Sequence, residues 1–214
     1  MDPLVSAKQR IDSGDLDAAE AVLKSAIEHS EGGAEALRLL GLIYVFRDAP
    51  AQGEVLIRRA IQLCDDADGQ TALGDALQIQ GCYDEAITAY RRALTERPDD
   101  AMLWCNLGLA HHALRSYPVA QEAYERALQC DDDYLGAWYN LGLLRYEKGE
   151  YEAAKGAYTE AIRIDPAEPD VLNNLGNTEL ALGNQAAAVA LYRRALCVRP
   201  ADASMARNLE LAVA

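Results

Sequence analysis

Small and apolar residues recur along the chain at a nearly constant spacing of 33 or 34 residues. One series of alanines lies at Ala26, Ala60, Ala93, Ala127, Ala161 and Ala195. A Leu-Gly pair recurs with the same spacing at Leu40-Gly41, Leu73-Gly74, Leu107-Gly108, Leu141-Gly142 and Leu175-Gly176. A large side chain stands three residues before each of the last five alanines, as Ile57, Tyr90, Tyr124, Tyr158 and Tyr192. Such a period predicts a repeat architecture, in which each unit buries its apolar face by stacking on its neighbours.

Each period predicts two helices of about 13 residues, the second of which begins after a Gly or Asp turn. Pro118 fits the first turn of a second helix, because its missing N–H would be unpaired there in any case. Glycine in a helix interior costs about 0.8–1 kcal/mol relative to alanine. Its recurrence in the Leu-Gly pair therefore predicts that two helix backbones cross closely at that point.

The pattern resembles the tetratricopeptide repeat, and residues 135–168 carry all of its marks, at Trp138, Leu141, Gly142, Gly149, Tyr151, Ala154, Tyr158, Ala161 and Pro166. The resemblance covers six repeats and a capping helix, at residues 1–33, 34–66, 67–100, 101–134, 135–168, 169–202 and 203–214. It implies an all-α fold, a right-handed superhelical α-solenoid of six helix-turn-helix units that forms a single domain over residues 1–214. Repeat four departs from the pattern, since Arg115-Ser116 replaces the turn glycine and Asp132 stands where proline is expected, and its loop geometry stays open.

Composition narrows the class of partner. The chain has 20 basic and 34 acidic residues and a net charge of −14, which argues against nucleic acid and anionic membranes because both repel an acidic surface. Its apolar runs are too short for membrane insertion, and no leader-like apolar run follows the start. Five cysteines without a framework spacing, Cys64, Cys82, Cys105, Cys130 and Cys197, predict free thiols and a cytoplasmic location.

The sequence lacks the common motifs of catalysis and metal binding. It contains no HExxH, GxSxG, Walker A or GxGxxG pattern. His111 and His112 are adjacent, so on a helix their side chains point about 100° apart and cannot hold one ion together. We therefore predict no enzyme activity, no catalytic residue, no metal and no cofactor.

In the family that the chain resembles, the first helix of each repeat lines a concave groove. Carried over by repeat position, the resemblance implies a peptide-binding groove formed by Asn106, Asn140, Asn174, Tyr139, Tyr146, Asn173, Asn177, His112, Leu109 and Leu143. The first three form a ladder of amides at a spacing of 34 residues, and amides can pair with both the C=O and the N–H of a peptide backbone. Tyr139 and Tyr146 are the expected aromatic anchors. The alternative is that the asparagines brace neighbouring helices.

These features favour a non-catalytic protein–protein interaction scaffold that binds an extended or helical peptide segment of a partner protein. Repeats one and three each have 3 basic and 7 acidic residues, so the groove acids Asp68 and Asp75 favour a basic segment. One alternative is a regulatory or substrate-targeting arm of an enzyme such as a glycosyltransferase. Another is a self-assembling structural protein, because one helix face can hide only some of the apolar residues Met205, Leu209, Leu211 and Val213 of the last helix, which predicts end-to-end self-association.

Overall fold

The structure, a computed structural model, describes residues 2–213; Met1 and Ala214, the outer limits of the first predicted repeat and of the capping helix, lie outside the described residues. Within that range the chain forms thirteen helices and no strand, which confirms the all-α helical repeat fold. It divides into two compact units, Met1–Leu114 and Arg115–Ala214. A single solenoid over the whole chain stays a prediction.

The first unit contains seven helices. They are α1 (Pro3–Asp12), α2 (Leu16–Glu28), α3 (Gly33–Phe46), α4 (Pro50–Leu63), α5 (Ala67–Ile79), α6 (Tyr83–Glu96) and α7 (Ala101–Ala113). Each helix packs against the next one along the chain, and α5 also packs against both α3 and α7. We call the odd-numbered helices of both units first helices and the even-numbered ones second helices. The first helices α3, α5 and α7 therefore lie side by side.

The second unit contains six helices. They are α8 (Tyr117–Cys130), α9 (Leu135–Glu147), α10 (Tyr151–Ile164), α11 (Pro169–Ala181), α12 (Gln185–Val198) and α13 (Ala203–Val213). Here α11 packs against α9 on one side and α13 on the other, in addition to its neighbours along the chain. The first helices again form one layer.

The Leu-Gly pairs mark close helix crossings, as the sequence predicts. A Cβ atom placed on Gly142 would lie 2.6 Å from Cε1 of Tyr158, and one on Gly176 would lie 2.6 Å from Cε1 of Tyr192. Both tyrosines are fully buried, and each ring occupies the space over the glycine of its own repeat. Glycine on the first helix and tyrosine on the second therefore form one packing unit.

The turn of repeat four keeps the geometry of the other repeats without their glycine. In four other repeats the turn residue is a glycine with φ between 76° and 83°, and Arg115 adopts φ 57° at the equivalent place.

The second departure is Asp132, which stands where proline is expected. Trp104 Nε1 donates to the Pro98 carbonyl at 2.7 Å, and Trp138 Nε1 makes the same bond to the Asp132 carbonyl at 2.7 Å. Repeat four thus keeps a left-handed turn residue and an equivalent indole hydrogen bond despite both departures from the sequence pattern.

The last described helix covers the end of the second unit. Met205 and Ala212 of α13 are buried, and Gln185 Nε2 donates to the Ala212 carbonyl at 2.6 Å. Leu211 and Val213 are exposed on the same helix. The capping helix therefore buries one face and leaves apolar side chains on another.

Candidate functional site

The residues predicted to bind a peptide lie on first helices of both units, and each unit is described by itself. The N-terminal face consists of Asp75 and Ile79 on α5 with Asn106, Leu109 and His112 on α7. The C-terminal face consists of Tyr139, Leu143 and Tyr146 on α9 with Asn173, Asn174 and Asn177 on α11. Most of these side chains are half-buried, so they combine a fixed position with access to solvent.

Hydrogen bonds join three first helices across the C-terminal face. Asn208 Nδ2 of α13 donates to Asn173 Oδ1 at 2.9 Å, and Asn173 Nδ2 makes a longer contact of 3.5 Å with Asn174 Oδ1. Asn174 Nδ2 in turn donates to the hydroxyl of Tyr139 at 3.1 Å. The network fixes the amides and the phenol relative to one another, because each is held by a neighbouring helix.

Asn177 links this face to the second helix beneath it. The Tyr192 hydroxyl donates to Asn177 Oδ1 at 2.8 Å. Burial raises the pKa of Tyr192 to about 12, so this phenol stays a donor throughout the physiological range. The Nδ2 of Asn177 has no hydrogen-bond partner among the described residues and is a donor available to a bound molecule.

Tyr158 breaks the pattern set by Tyr192. Its hydroxyl is buried and lacks a hydrogen-bond partner within residues 2–213. The reason lies fifteen residues earlier, where Tyr192 has Asn177 and Tyr158 has the apolar Leu143. Burial raises the pKa of Tyr158, and the nearby phenols of Tyr139 and Tyr146 raise it further. Sequence reasoning missed this group, although the substitution of leucine at that spacing is the signal that could have revealed it.

The two predicted aromatic anchors are both half-buried. The Tyr139 ring lies 6.2 Å from that of Tyr158, between centroids, at an interplanar angle of 55°. The Tyr146 ring lies 5.3 Å from that of Tyr151 at 58°. Burial raises the pKa of both Tyr139 and Tyr146. These tilted ring pairs hold the anchors in place and leave part of each surface accessible.

The three asparagines of the predicted ladder have different environments. Asn140 is buried, with 8% of its surface exposed, whereas Asn106 and Asn174 are half-buried. Asn106 and Asn174 each donate to a side chain of a preceding first helix, to Asp75 at 3.2 Å and to Tyr139 at 3.1 Å. Asn106 and Asn174 therefore link neighbouring first helices, whereas Asn140 is buried by the surrounding protein.

The N-terminal face is organised around a carboxylate. Asp75 Oδ1 accepts hydrogen bonds from the buried Tyr90 hydroxyl at 2.8 Å and from Asn106 at 3.2 Å. Burial raises the pKa of Asp75 above the usual aspartate range, and the two hydrogen bonds offset part of that shift. Leu109 and His112 are half-buried on α7 of the same face.

Metal binding has no assembled group of ligands in the part of the chain that the structure describes. No cluster of three or more His, Cys, Asp or Glu side chains there could hold a metal ion. His111 is buried, and burial lowers its pKa, which favours the neutral imidazole. No helix within residues 2–213 is long and apolar enough to cross a membrane.

The geometry agrees with comparisons against known proteins. The family profile described as tetratricopeptide repeat matches residues 4–68, 71–134 and 137–206, which together make up most of the chain. The chain belongs to the tetratricopeptide repeat family. Each matched stretch is about as long as two of the repeats predicted from sequence.

One curated relative of this tetratricopeptide repeat chain is the BBSome complex member BBS4 of Mus musculus. The two are 29% identical over 105 residues, which cover 49% of this chain and 20% of that protein. The chain therefore spans about a fifth of the length of this curated relative.

Solved structures share the fold at low sequence identity. A chain of the APC/C hetero-tetramer Cut9–Hcn1 matches with a TM-score of 0.87 and 15% identity, over 99% of this chain and 42% of its own length. PilF of Pseudomonas aeruginosa matches with a TM-score of 0.82 and 18% identity, over 98% and 94% of the two chains. YrrB, described as a TPR protein with an unusual peptide-binding site, gives a TM-score of 0.63 and 19% identity, over 88% and 97%. At these identities the likeness shows the fold alone.

The family assignment gives the general role of the fold. Tetratricopeptide repeat chains are helical-repeat scaffolds that bind other proteins through extended surfaces. Which side chains of this chain take part is a separate matter, because function depends on the site and not on the fold.

Proposed function

We propose that this chain is a non-catalytic scaffold that binds a peptide segment of a partner protein on its first-helix faces. The observation that carries the proposal is the hydrogen-bond network of the C-terminal face, which holds Asn173, Asn174 and Tyr139 in fixed positions on half-buried surfaces. Polar groups that are already ordered lose little conformational entropy on binding. Amides and phenols can pair with either polar group of a peptide backbone.

Two further groups on this face suit an extended or helical segment. Asn177 offers the Nδ2 donor left over from its bond with Tyr192, and Tyr146 offers part of an aromatic ring braced by Tyr151. A backbone carbonyl on the first and an apolar side chain on the second would use both kinds of contact. YrrB, which has the same fold, is described as having a peptide-binding site, and this is consistent with such a use.

The proposal is tested by affinity capture with a variant that alters the face and spares the fold. In Tyr146→Ala/Asn174→Ala the aromatic anchor and one amide of the network are lost without a change of charge, while Asn177 still accepts from Tyr192. A matched control, Glu152→Ala/Arg193→Ala, changes two exposed residues on second helices. We expect proteins captured by the wild type and the control to be lost with the face variant.

Segments of a captured protein should then bind the purified chain with an affinity at least about tenfold lower for the face variant. Capture that is lost with the second-helix control and kept with the face variant would place the partner elsewhere and contradict the proposal. The cytoplasmic location predicted from the cysteines stays a prediction.

Self-association is a second candidate, favoured by the exposed Leu211 and Val213 of α13. An apolar surface of this kind can stack on a different surface of another copy and propagate. Sedimentation of a concentrated sample should show larger species for the wild type than for Leu211→Glu. Identical profiles would mean that this surface is an ordinary cap.

A further inference from the structure

Asp75 is a half-buried carboxylate whose charge is not neutralised within the protein. Its Oδ1 accepts from the Tyr90 hydroxyl at 2.8 Å and from Asn106 Nδ2 at 3.2 Å, and both donors are uncharged. No Lys or Arg in the described part of the chain forms an ion pair with it. A charge taken partly out of water without a counter-ion costs stability, so its presence needs a reason.

The charge is not required for bracing the helices. Asn177 occupies the equivalent place in repeat six, fifteen residues before Tyr192 as Asp75 is before Tyr90. Its neutral amide oxygen accepts the tyrosine hydroxyl at the same distance of 2.8 Å. A neutral acceptor is therefore sufficient for the hydrogen bond to the tyrosine, and the negative charge of Asp75 is not needed for that bond.

The other acid predicted to face a basic partner is already used. Asp68 is hydrogen bonded to Arg97 and lies 3.8 Å from the Arg38 guanidinium. The first unit as a whole has 10 basic and 19 acidic residues, so a cation approaching it is attracted from a distance. At short range, Asp75 is the groove acid that is free to receive that cation.

Two exposed apolar side chains lie on the same layer of first helices as the carboxylate. Ile79 follows Asp75 by one helical turn on the same side of α5, and 58% of its surface is exposed. Phe46 ends the neighbouring first helix α3 at the repeat position that Ile79 has in α5, and 72% of its surface is exposed. An occupant that carries both a cation and aliphatic carbon would match this surface.

We propose that the Asp75 carboxylate binds one Lys or Arg side chain of a partner's segment, with apolar parts of that segment covering Ile79 and Phe46. The inference rests on the proposed function, since it assumes that a segment lies on a first-helix face. It adds the chemistry of the contact: a charge-assisted hydrogen bond to a carboxylate that Tyr90 and Asn106 hold in place. The raised pKa of Asp75 agrees with a carboxylate that lacks a cation in the free protein.

The test uses two labelled synthetic peptides, one of alternating leucine and arginine and one in which citrulline replaces arginine without its charge. Fluorescence anisotropy at fixed low salt measures the affinity of each for the full chain. We expect the wild type to prefer the arginine peptide by about tenfold or more. Asp75→Asn should lose most of this preference, because the substitution removes the negative charge. The amide oxygen still accepts from Tyr90, so the packing of the two helices should be kept.

Asp68→Asn is the matched control, since it makes the same change in net charge at a carboxylate that is already paired. It should keep the preference for arginine. Carbon NMR of the Asp75 carboxyl gives a second readout: its pKa should fall when the arginine peptide binds and stay constant with the citrulline peptide.

Each other outcome overturns the inference. Equal losses in the two aspartate variants would reduce the effect to overall charge. Unchanged binding by Asp75→Asn, with weaker binding by Tyr146→Ala/Asn174→Ala, would remove Asp75 as the receptor and leave the proposed function standing. If neither peptide binds, or if no variant on either face alters binding, the inference fails, whereas the proposed function fails only if affinity capture also does not depend on the face variant.

Discussion

Removing the hydroxyl of Tyr158 should stabilise the protein, whereas the same change at an equivalent tyrosine should destabilise it. The Tyr158 hydroxyl is buried without a partner in the described chain, and the Tyr192 hydroxyl donates to Asn177 at 2.8 Å. Both rings are fully buried over a glycine of the same repeat, so the change to phenylalanine removes one oxygen atom from two nearly identical sites. The hydrogen bond is the difference between them.

The magnitudes follow from the cost of an unsatisfied polar group. A buried hydroxyl that has lost its water costs about 1–3 kcal/mol, so Tyr158→Phe should raise the free energy of unfolding by about 1 kcal/mol. Tyr192→Phe loses a neutral hydrogen bond and should lower it by about 0.5–1.5 kcal/mol. Urea unfolding followed by circular dichroism measures both values, and equal m-values would show that the comparison is valid.

A complementary substitution supplies the missing partner. Leu143→Asn places an amide where Asn177 stands relative to Tyr192, so it should form a hydrogen bond with Tyr158. In the Tyr158→Phe background the same amide has no phenol to pair with. The double-mutant cycle should therefore give a favourable coupling of about 1 kcal/mol. If Tyr158→Phe destabilises as much as Tyr192→Phe and the coupling is absent, Tyr158 is already hydrogen bonded and the interpretation is wrong.

Four other substitutions test three separate features. Gly142→Ala should lower the free energy of unfolding by about 1–3 kcal/mol, because the new Cβ would lie 2.6 Å from the Tyr158 ring. Gly156 has open space around it, so Gly156→Ala should raise the free energy of unfolding by about 0.8–1 kcal/mol in the same urea assay. Asp75→Asn should be more stable than the wild type at neutral pH, because burial raises the pKa of the Asp75 carboxyl and so disfavours its charged form. The difference in stability should vanish as the pH falls through that raised pKa to the usual aspartate range. A constant difference in melting temperature across this pH range would contradict the prediction. Arg115→Gly should stabilise by about 1 kcal/mol, because φ is 57° there, and an unchanged urea midpoint would show that the arginine is not strained.

The repeat frame could be predicted from sequence because close packing restricts the residue type. Only glycine fits beneath Tyr158 and Tyr192, so the spacing of the Leu-Gly pairs marks the helix crossings. The last helix, predicted at residues 203–214, is observed at Ala203–Val213. The turn at Arg115 is harder to predict, because a non-glycine residue can adopt the left-handed conformation when the rest of the turn fixes it.

The environment of each candidate side chain could not be predicted from the repeat pattern. A half-exposed position on a first helix lies at the boundary between the packed interior and solvent. A small rotation of the helix decides whether an amide at that position faces the interior or the solvent. Asn140 and Asn174 have the same repeat position, yet one is buried and the other pairs with Tyr139. The partner of such a residue lies on a different helix, 35 residues away in the case of Asn174, and a single-repeat pattern does not include it.

One position of the first helix gives each of three repeats a different side chain on the face. Tyr90, Tyr192 and Tyr158 are equivalent buried tyrosines in three repeats. Their hydroxyls face a carboxylate at Asp75, an amide at Asn177 and no acceptor at Leu143, respectively. The backbone and the ring are unchanged, so the residue at this position sets whether the face carries a charge, a spare donor or an apolar surface. The tyrosine is fully buried in all three repeats, so this residue differs between them at a cost of about one hydrogen bond. The helix crossing is therefore kept while the chemistry of the first-helix face differs from repeat to repeat.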